Sequence, residues 1–367
     1  MAIIKLRKTF TEVLGELAVN LDRKKFKDID LSDKFFDSLK ESYAEFPDWF
    51  AKKSNENAYV ILGNDGSING FLYLKVEEGQ IADVEPQLPA AKRLKVGTMK
   101  INAHGTKLGE RFIKKIFDHA LFEGVTQVYL TVFEQHTPLI NLIEKYGFEH
   151  QAKKTTENGT ELVYVKDLSK FDEEITKSYP LVSTNGSGIY LLSLYPQWHT
   201  RLLPDSILNN ENSDVVQDIS HTNSIHKVYL TAMKGVESLE RGDILLIYRT
   251  SDGKGPARFR SVATSICVVE EYKSIRNFKS EDEFLSYCRP YSVFTEIELD
   301  EFWKTKKYPH IIKFTYNLAL KKRPNRAALI DLVGLESEAY WGFMKISKKQ
   351  FEHIISLGAV NESLIVD

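Results

Sequence analysis

The spacing of apolar and polar positions changes period several times along the chain. From Phe35 to Lys53, FFDSLKESYAEFPDWFAKK places its aromatic and aliphatic residues at helical intervals, and the polar stretch SNEN ends the pattern. NAYVILGNDGSINGFLYLKVEEG then predicts a hairpin of two apolar strands around NDGSING. KRLKVGTMKIN reads as a third strand. The segment after it, through GERFIKKIFDHALFEG, reads as a helix with Leu108, Phe112, Ile113, Ile116, Phe117, Ala120 and Leu121 on one face. VTQVYLTVF is a further strand, TPLINLIEKYGF a helix with Pro138 in its first turn, and ELVYVKDL a closing strand. Strands before and after the helices predict an α/β sandwich with a mixed central sheet over residues 1–170.

Beyond Leu168 the pattern lapses. SKFDEEITKSYPLVSTNGSG is polar and ends in a glycine-rich cluster, which predicts a linker over 171–186. Residues 187–367 are richer in strands: GIYLLSLY, KVYLTAMKG, GDILLIYRT, SVATSICVVEEY and HIIKFTYNLAL are β-branched or aromatic, and the helices between them are short. That spacing predicts a small β-barrel. The whole is expected to be an α+β protein of two domains, which suits a chain of 367 residues.

Composition narrows the function classes. With 43% apolar and 27% charged residues the chain is of the ordinary globular kind. No apolar run approaches the roughly 20 residues that cross a bilayer, and MAIIKLRKTFTEVLGEL lacks the h-region of a signal peptide, so no membrane partner and a cytoplasmic address are expected. The net charge of −2 argues against a strongly basic nucleic-acid binder but leaves room for a local patch. One such cluster is RTSDGKGPARFR, with Arg249, Lys254, Arg258 and Arg260 on an expected hairpin. Neither Cys267 nor Cys288 has the spacing of a metal site or a disulfide framework; Cys267 lies in an apolar strand and reads as an inert buried thiol, and no metal is expected.

The stretch INAHGTKLGERF, Ile101 to Phe112, carries the chemistry. It sets Gly105 and Gly109 between a strand and a helix. Glycines let a backbone approach a diphosphate, and a helix start offers free N–H groups to it. GxGxxG is not met, because Gly105 and Gly109 are the only glycines there, and GxxxxGK[ST] is not met, because Lys107 precedes the second glycine. A lysine in the first turn opposes the helix dipole unless an anion sits there. A structural turn with a tightly packed helix start is the alternative.

Strand, glycine loop, amphipathic helix, strand, helix and EKYGF in this order resemble the GNAT family of N-acetyltransferases. HGTKLG occupies the place of that family's RGxGxG: Gly105 and Gly109 match, His104 replaces the arginine, and Lys107 stands where an inner glycine is usual. The resemblance implies acetyl-CoA as co-substrate, bound by Met99, Lys100 and Ile101 of the preceding strand, by His104, Gly105, Thr106, Lys107, Leu108 and Gly109 of the loop, and by His136. His136 starts a helix, so capping its turn is an equal reading. The family's tyrosine acid falls on Ile143, and Tyr146 is a nearby substitute. Where relatives carry a carboxylate base this chain has Lys92, Arg93 and Lys95, read here as a solvated edge or as a site for a negatively charged acceptor. The base is then elsewhere, with Glu134 as a candidate, or water carries the proton. The catalytic residues stay unknown at this level.

In the second region VESLERGDILLIYRT, GIYLLSLY and YWGFMKISKKQFEHII look like the PUA-like superfamily, which includes ASCH and EVE modules; the ASCH motif GxKxxExR is not reproduced in GVESLER. The expectation is an acetyl-CoA-dependent N-acetyltransferase whose PUA-like domain recruits the acceptor, either RNA or tRNA or a translation-associated protein. A small amine or protein lysine as acceptor, and a non-catalytic coenzyme A sensor, are the alternatives.

Overall fold

The computed structural model describes residues 21–63, 65–102, 107–206 and 224–367. The chain divides into two compact units, Met1–Lys170 and Phe171–Asp367. The fold is α+β with mixed sheets.

The first unit is a seven-stranded sheet in the order β1-β2-β3-β4-β5-β7-β6. Along the chain come β1 (Leu21–Lys25), α1 (Asp37–Ser42), α2 (Phe46–Lys52), β2 (Asn57–Leu62), β3 (Ile68–Ile81), β4 (Leu88–Ile101), α3 (Leu108–Phe122), β5 (Gln127–Phe133), α4 (Thr137–Lys145), β6 (Glu149–Thr156) and β7 (Gly159–Asp167). All neighbours are antiparallel except β4 and β5, which the crossover helix α3 joins in parallel. The apolar stripe of α3 is buried at Phe112, Ile113, Ile116, Phe117 and Ala120. A Cβ on Gly70 would stand 3.0 Å from the Phe112 ring, so glycine lets that helix lie close on the sheet. The other face carries an aromatic cluster of Phe26, Phe35, Phe36, Phe46, Phe50, Phe71 and Tyr73, packed largely edge to face.

Two elements differ from expectation. The single helix expected over Phe35–Lys53 is broken into a 3₁₀ turn (Lys34–Phe36), α1 and α2. Pro47 lies in the first turn of α2, where it disfavours helical continuation before it, and Tyr43 is extended at φ −136°. β6, in the polar sequence EHQAKKTT, is an edge strand with most side chains exposed, so it lacks the apolar alternation that marks a half-buried strand.

In the second unit β9 (Ile189–Leu194), β10 (His226–Thr231), β11 (Ile244–Arg249), β12 (Val262–Ser274), β13 (His310–Ala319) and β14 (Phe343–Lys345) form one sheet in the order β10-β13-β12-β11-β9-β14. Among the described residues it is an open sheet, not the closed barrel expected; β10 and β14 are its edges. Two register shifts in the long strand β12 bend it, and bulges add local twist without closing a ring. The stretch expected as a linker is folded onto this unit. Tyr179 is buried and donates to the Tyr316 carbonyl at 3.0 Å, Asn317 donates to the carbonyls of Pro180 and Leu181, and Val182–Ser183 (β8) pairs with Ile365–Val366 (β15). Its polar composition concealed a short apolar run, YPLV, that the core takes up. Among the described residues no helix is long and apolar enough to cross a membrane.

The interior of this unit also holds a hydrogen-bonded chain of side chains. His199 Nε2 meets the Thr264 hydroxyl at 2.8 Å, Ser265 donates to Thr264 at 3.1 Å, and Ser206 bonds both Ser265 and Tyr316 at 2.7 Å. Cys267 and Cys288 are buried and unpaired; burial raises both thiols, Cys288 to about 12, so they stay protonated and act as packing groups.

Candidate active site

The parallel pairing of β4 with β5 runs only from Arg93↔Gln127 to Val96↔Leu130. Beyond it each strand keeps its other neighbour: β4 stays on β3 to Ile101, and β5 stays on β7 to Phe133. The sheet therefore forks. The next residue, Gly97, is the cause. Tyr73 pairs with Thr98 and Leu74 with Val96, which leaves Gly97 as the extra residue of a bulge. A Cβ there would lie 2.6 Å from the Tyr73 ring, so no larger residue fits without displacing that ring.

Alternation decides which backbone groups line the fork. Asn102 N–H donates to the Asn69 carbonyl at 3.0 Å, so Lys100 also turns its backbone groups to β3, and Met99 and Ile101 turn theirs into the gap. On the other arm Leu168 N–H donates to the Thr126 carbonyl at 2.7 Å, which directs Thr131 and Phe133 into the gap. Of the three strand residues expected to meet the cofactor by backbone, Met99 and Ile101 turn their backbone groups into the gap. Lys100 does not: its backbone is committed to β3, while its ammonium donates to the Phe35 carbonyl and the Ser38 hydroxyl.

Along the chain the β4 arm of the gap is followed by α3 and the β5 arm by α4. His104, Gly105 and Thr106 lie outside the described residues. Lys107 occupies the N-cap position without a side-chain cap, Leu108 is buried, and a Cβ on Gly109 would stand 2.7 Å from Leu142, so glycine sets the spacing of α3 and α4. Glu110 of α3 and Lys145 of α4 tie the helices at 2.8 Å. The first-turn N–H groups of α3 have no intrahelical acceptors. His136, at the N-cap of α4, is exposed and makes no side-chain cap bond, which removes the capping reading.

The face carrying the aromatic cluster brings together residues that sequence alone did not single out. Thr131 is the first β5 residue past the last β4 pair, and its hydroxyl donates to Glu161 of β7 at 3.1 Å. Tyr43, freed by the break between α1 and α2, donates to the same carboxylate oxygen at 2.7 Å and packs against Phe133, ring centroids 5.5 Å apart. Glu161 is only 6% exposed, so a carboxylate is held at the fork by two hydroxyls. Burial, and then the bond to Glu161, raise the Tyr43 phenol far above its ordinary value, so it stays a donor. Across the fork Tyr73 donates to Glu56 and accepts from Lys53 at 2.9 Å.

The earlier candidates fare differently. Glu134 is exposed on the turn after β5, and Tyr146 and Ile143 are fully buried packing residues. Arg93 and Lys95 are not a solvated edge. Arg93 is 3% exposed and donates to the Pro89 carbonyl at 2.8 Å, while Lys95 lies over the Tyr129 ring, 5.6 Å from its centroid, and burial lowers its pKa. Lys92 alone reaches outward, to the Glu123 carbonyl.

No family model and no curated protein matches this chain. Among solved structures it is similar to Arabidopsis thaliana Naa50 in complex with the bisubstrate analogue CoA-Ac-MVNAL, at 18% identity and TM-score 0.29 over 41% of this chain and 99% of that one. It is similar to the NatC complex bound to Gag peptide and CoA, at 14% identity and TM-score 0.29 over 41% of this chain and 99% of that one. It is also similar to ASCH from Zymomonas mobilis, at 9% identity and TM-score 0.31 over 46% of this chain and 95% of that one.

In the second unit the basic cluster is largely neutralised. One Arg258 nitrogen donates to both oxygens of Asp331 at 2.6 and 2.8 Å, Arg260 forks onto Asp252, and Arg249 is buried at 4% exposure. Arg258 and Arg260 lie on a four-residue helix, Ala257–Arg260, within the β11–β12 connection. Lys254 and Arg258 are the two exposed members of the four.

Proposed function

We propose that the first unit is an acetyl-CoA-dependent N-acetyltransferase. The observation that carries this reading is the fork: two strand edges with the backbone groups of Met99, Ile101 and Thr131 and the N–H of Phe133 turned into a gap, while the Phe133 carbonyl accepts from the His136 N–H at 3.0 Å. A gap of that kind suits an extended ligand that has amides of its own and ends in a diphosphate, as coenzyme A does. The residues present fit that co-substrate. Met99 and Ile101 hold its arm and offer an N–H to the thioester oxygen, where negative charge develops on attack. The loop at His104, Gly105, Thr106 and Lys107, with Leu108 and Gly109, takes the diphosphate, and the exposed His136 borders the arm from α4.

Glu161 is the proton acceptor in this reading. An amine must lose its ammonium proton before its nitrogen attacks the acetyl carbon, and a buried carboxylate at the fork is placed for that transfer. Thr131 and Tyr43 keep the carboxylate aimed by donating to it. As the C–S bond breaks, the nitrogen of the new amide gives up its second proton to solvent and the leaving thiolate takes one from solvent.

Acceptors are small amines or peptide and protein amines, with the second unit as a partner-binding module. Recruitment of RNA or tRNA by that unit has less support, because Arg258 and Arg260 already hold carboxylates. A non-catalytic coenzyme A sensor needs no proton acceptor at the fork, and Glu161 speaks against it. Calorimetry with coenzyme A and thiol release from acetyl-CoA with an amine panel test the reading. Absence of binding heat defeats it, and binding with no thiol release over any amine leaves the sensor standing instead.

A further inference from the structure

The β3–β4 hairpin continues beyond Arg93, where the pairing of β4 with β5 begins, and packs Ile81, Val84 and Leu88 against Tyr129, Ala152, Val163 and Val165. Beside this arm lies a cavity of about 390 Å³ bounded by Lys75, Glu77, Ile81, Ala91, Arg93 and Tyr129, within the size range of small-molecule sites. It shares no residue with the fork.

Its charge is not balanced from within. Lys75, Lys95 and Arg93 stand against two carboxylates, Glu77 and Glu78, while the neighbouring Asp83 and Lys154 neutralise one another at 2.6 Å. Glu77 is the cross-strand partner of Arg93, yet it is engaged by the Tyr129 hydroxyl, by Lys75 at 3.2 Å and by Lys95 at 4.0 Å. Arg93 is left with carbonyls alone, of Pro89 at 2.8 Å and of Gly79 at 3.4 Å, and its Nε has no hydrogen-bond partner among the described residues. Its side chain is buried, and a buried guanidinium without an anion is costly.

We propose that this cavity binds a free small monocarboxylate, at a site separate from acetyl transfer. A single negative charge matches the surplus cation, and two carboxylate oxygens suit a guanidinium whose donors outnumber the carbonyls that meet them. A phosphate dianion overshoots that surplus and would face Glu77 and Glu78. A cation gains little, because Glu77 already holds three partners. Ile81, Ala91 and the Tyr129 ring offer the wall for a short apolar body behind the carboxylate. The site does not depend on the acetyltransferase reading, since none of its residues serves in that reaction.

Benzoate and benzamide are matched in shape, differ in that charge, and are the probes, read by calorimetry on the full-length protein. Benzoate is expected to bind saturably and about tenfold or more tighter than benzamide, and Arg93→Gln is expected to erase the preference. Because Arg93 is buried, Lys75→Gln serves as a second variant. Lys75 is exposed, and its loss removes the surplus charge and releases Glu77 toward Arg93, so the preference is expected to vanish there too. Saturating coenzyme A is expected to leave benzoate affinity unchanged. A protein that binds benzoate but no coenzyme A loses the acetyltransferase reading and keeps this site. Four results overturn it: no saturable benzoate binding, equal binding of the two probes, a preference that survives in either folded variant, or displacement of benzoate by coenzyme A or inorganic phosphate.

Discussion

The two units treat their polar groups in opposite ways. In the first, the sheet ladder is interrupted at Gly97, and the strand edges beyond Val96 and Leu130 keep amides free for something other than a strand. In the second, the ladder from β10 to β14 is continuous and the polar side chains inside it bond one another, from His199 through Thr264, Ser265 and Ser206 to Tyr316. An open ladder is a ligand site; a closed network is a specification of the core. In the proposed reading the chemistry belongs to the first unit, and this contrast is what favours it.

The strongest way to break that contrast is Gly97→Val. The added side chain collides with the Tyr73 ring, the bulge cannot form as it does now, and coenzyme A affinity is expected to fall by about 100-fold or more, read by calorimetry. Unchanged affinity would mean that the fork does not hold the cofactor. Next comes Glu161→Gln, expected to lower kcat by about 10²- to 10⁴-fold with the coenzyme A dissociation constant unchanged. A variant as fast as the parent removes Glu161 from the chemistry.

The closed network makes a prediction of its own. Burial, with Arg249 and Arg323 nearby, lowers the His199 pKa from 6.5 to about 3, and its Nδ1 has no hydrogen-bond partner among the described residues. The unfolded chain therefore takes up a proton below pH 6.5 that the folded unit refuses. Stability is whole above pH 6.5 and is lost as pH falls toward 3, by a few kcal/mol in total. Chemical denaturation at several pH values checks this, and His199→Gln should flatten that part of the profile.

Two smaller effects sharpen the picture. Gly109→Ala presses on Leu142 and is expected to cost about 1 kcal/mol, with the melting temperature as readout. Arg258→Ala removes an exposed pair with Asp331 and is expected to change stability by about 0.5 kcal/mol or less. A large loss of copurifying nucleic acid in that variant would restore the RNA reading.

Much of the architecture was legible from periodicity, because β2, β3, β5 and β7 bury one or both faces and α3 carries a continuous apolar stripe. The polar edge strand β6 was not, since nothing apolar marks a strand whose side chains face water. The fork had a sequence signal that went unused: a lone glycine inside the strand KRLKVGTMKIN is the mark of a bulge. Glu161 had none. It lies within ELVYVKDL, and only the pairing of β7 with β5 and the break before Pro47, which frees Tyr43, bring its partners to it. Pairing between distant strands is what spacing along one strand cannot express.

At the tip of the β3–β4 hairpin Glu85 exchanges backbone hydrogen bonds, both at 2.8 Å, with Lys153 of β6, and this clasp has a mechanical consequence. Two plates joined along one seam can swing about it; a second fastening, set off to the side, takes that freedom away. The halves of the first unit meet along Arg93–Val96 and Gln127–Leu130 and again at the hairpin tip, so two separate sets of hydrogen bonds, and not only the occupant, hold the width of the slot between them.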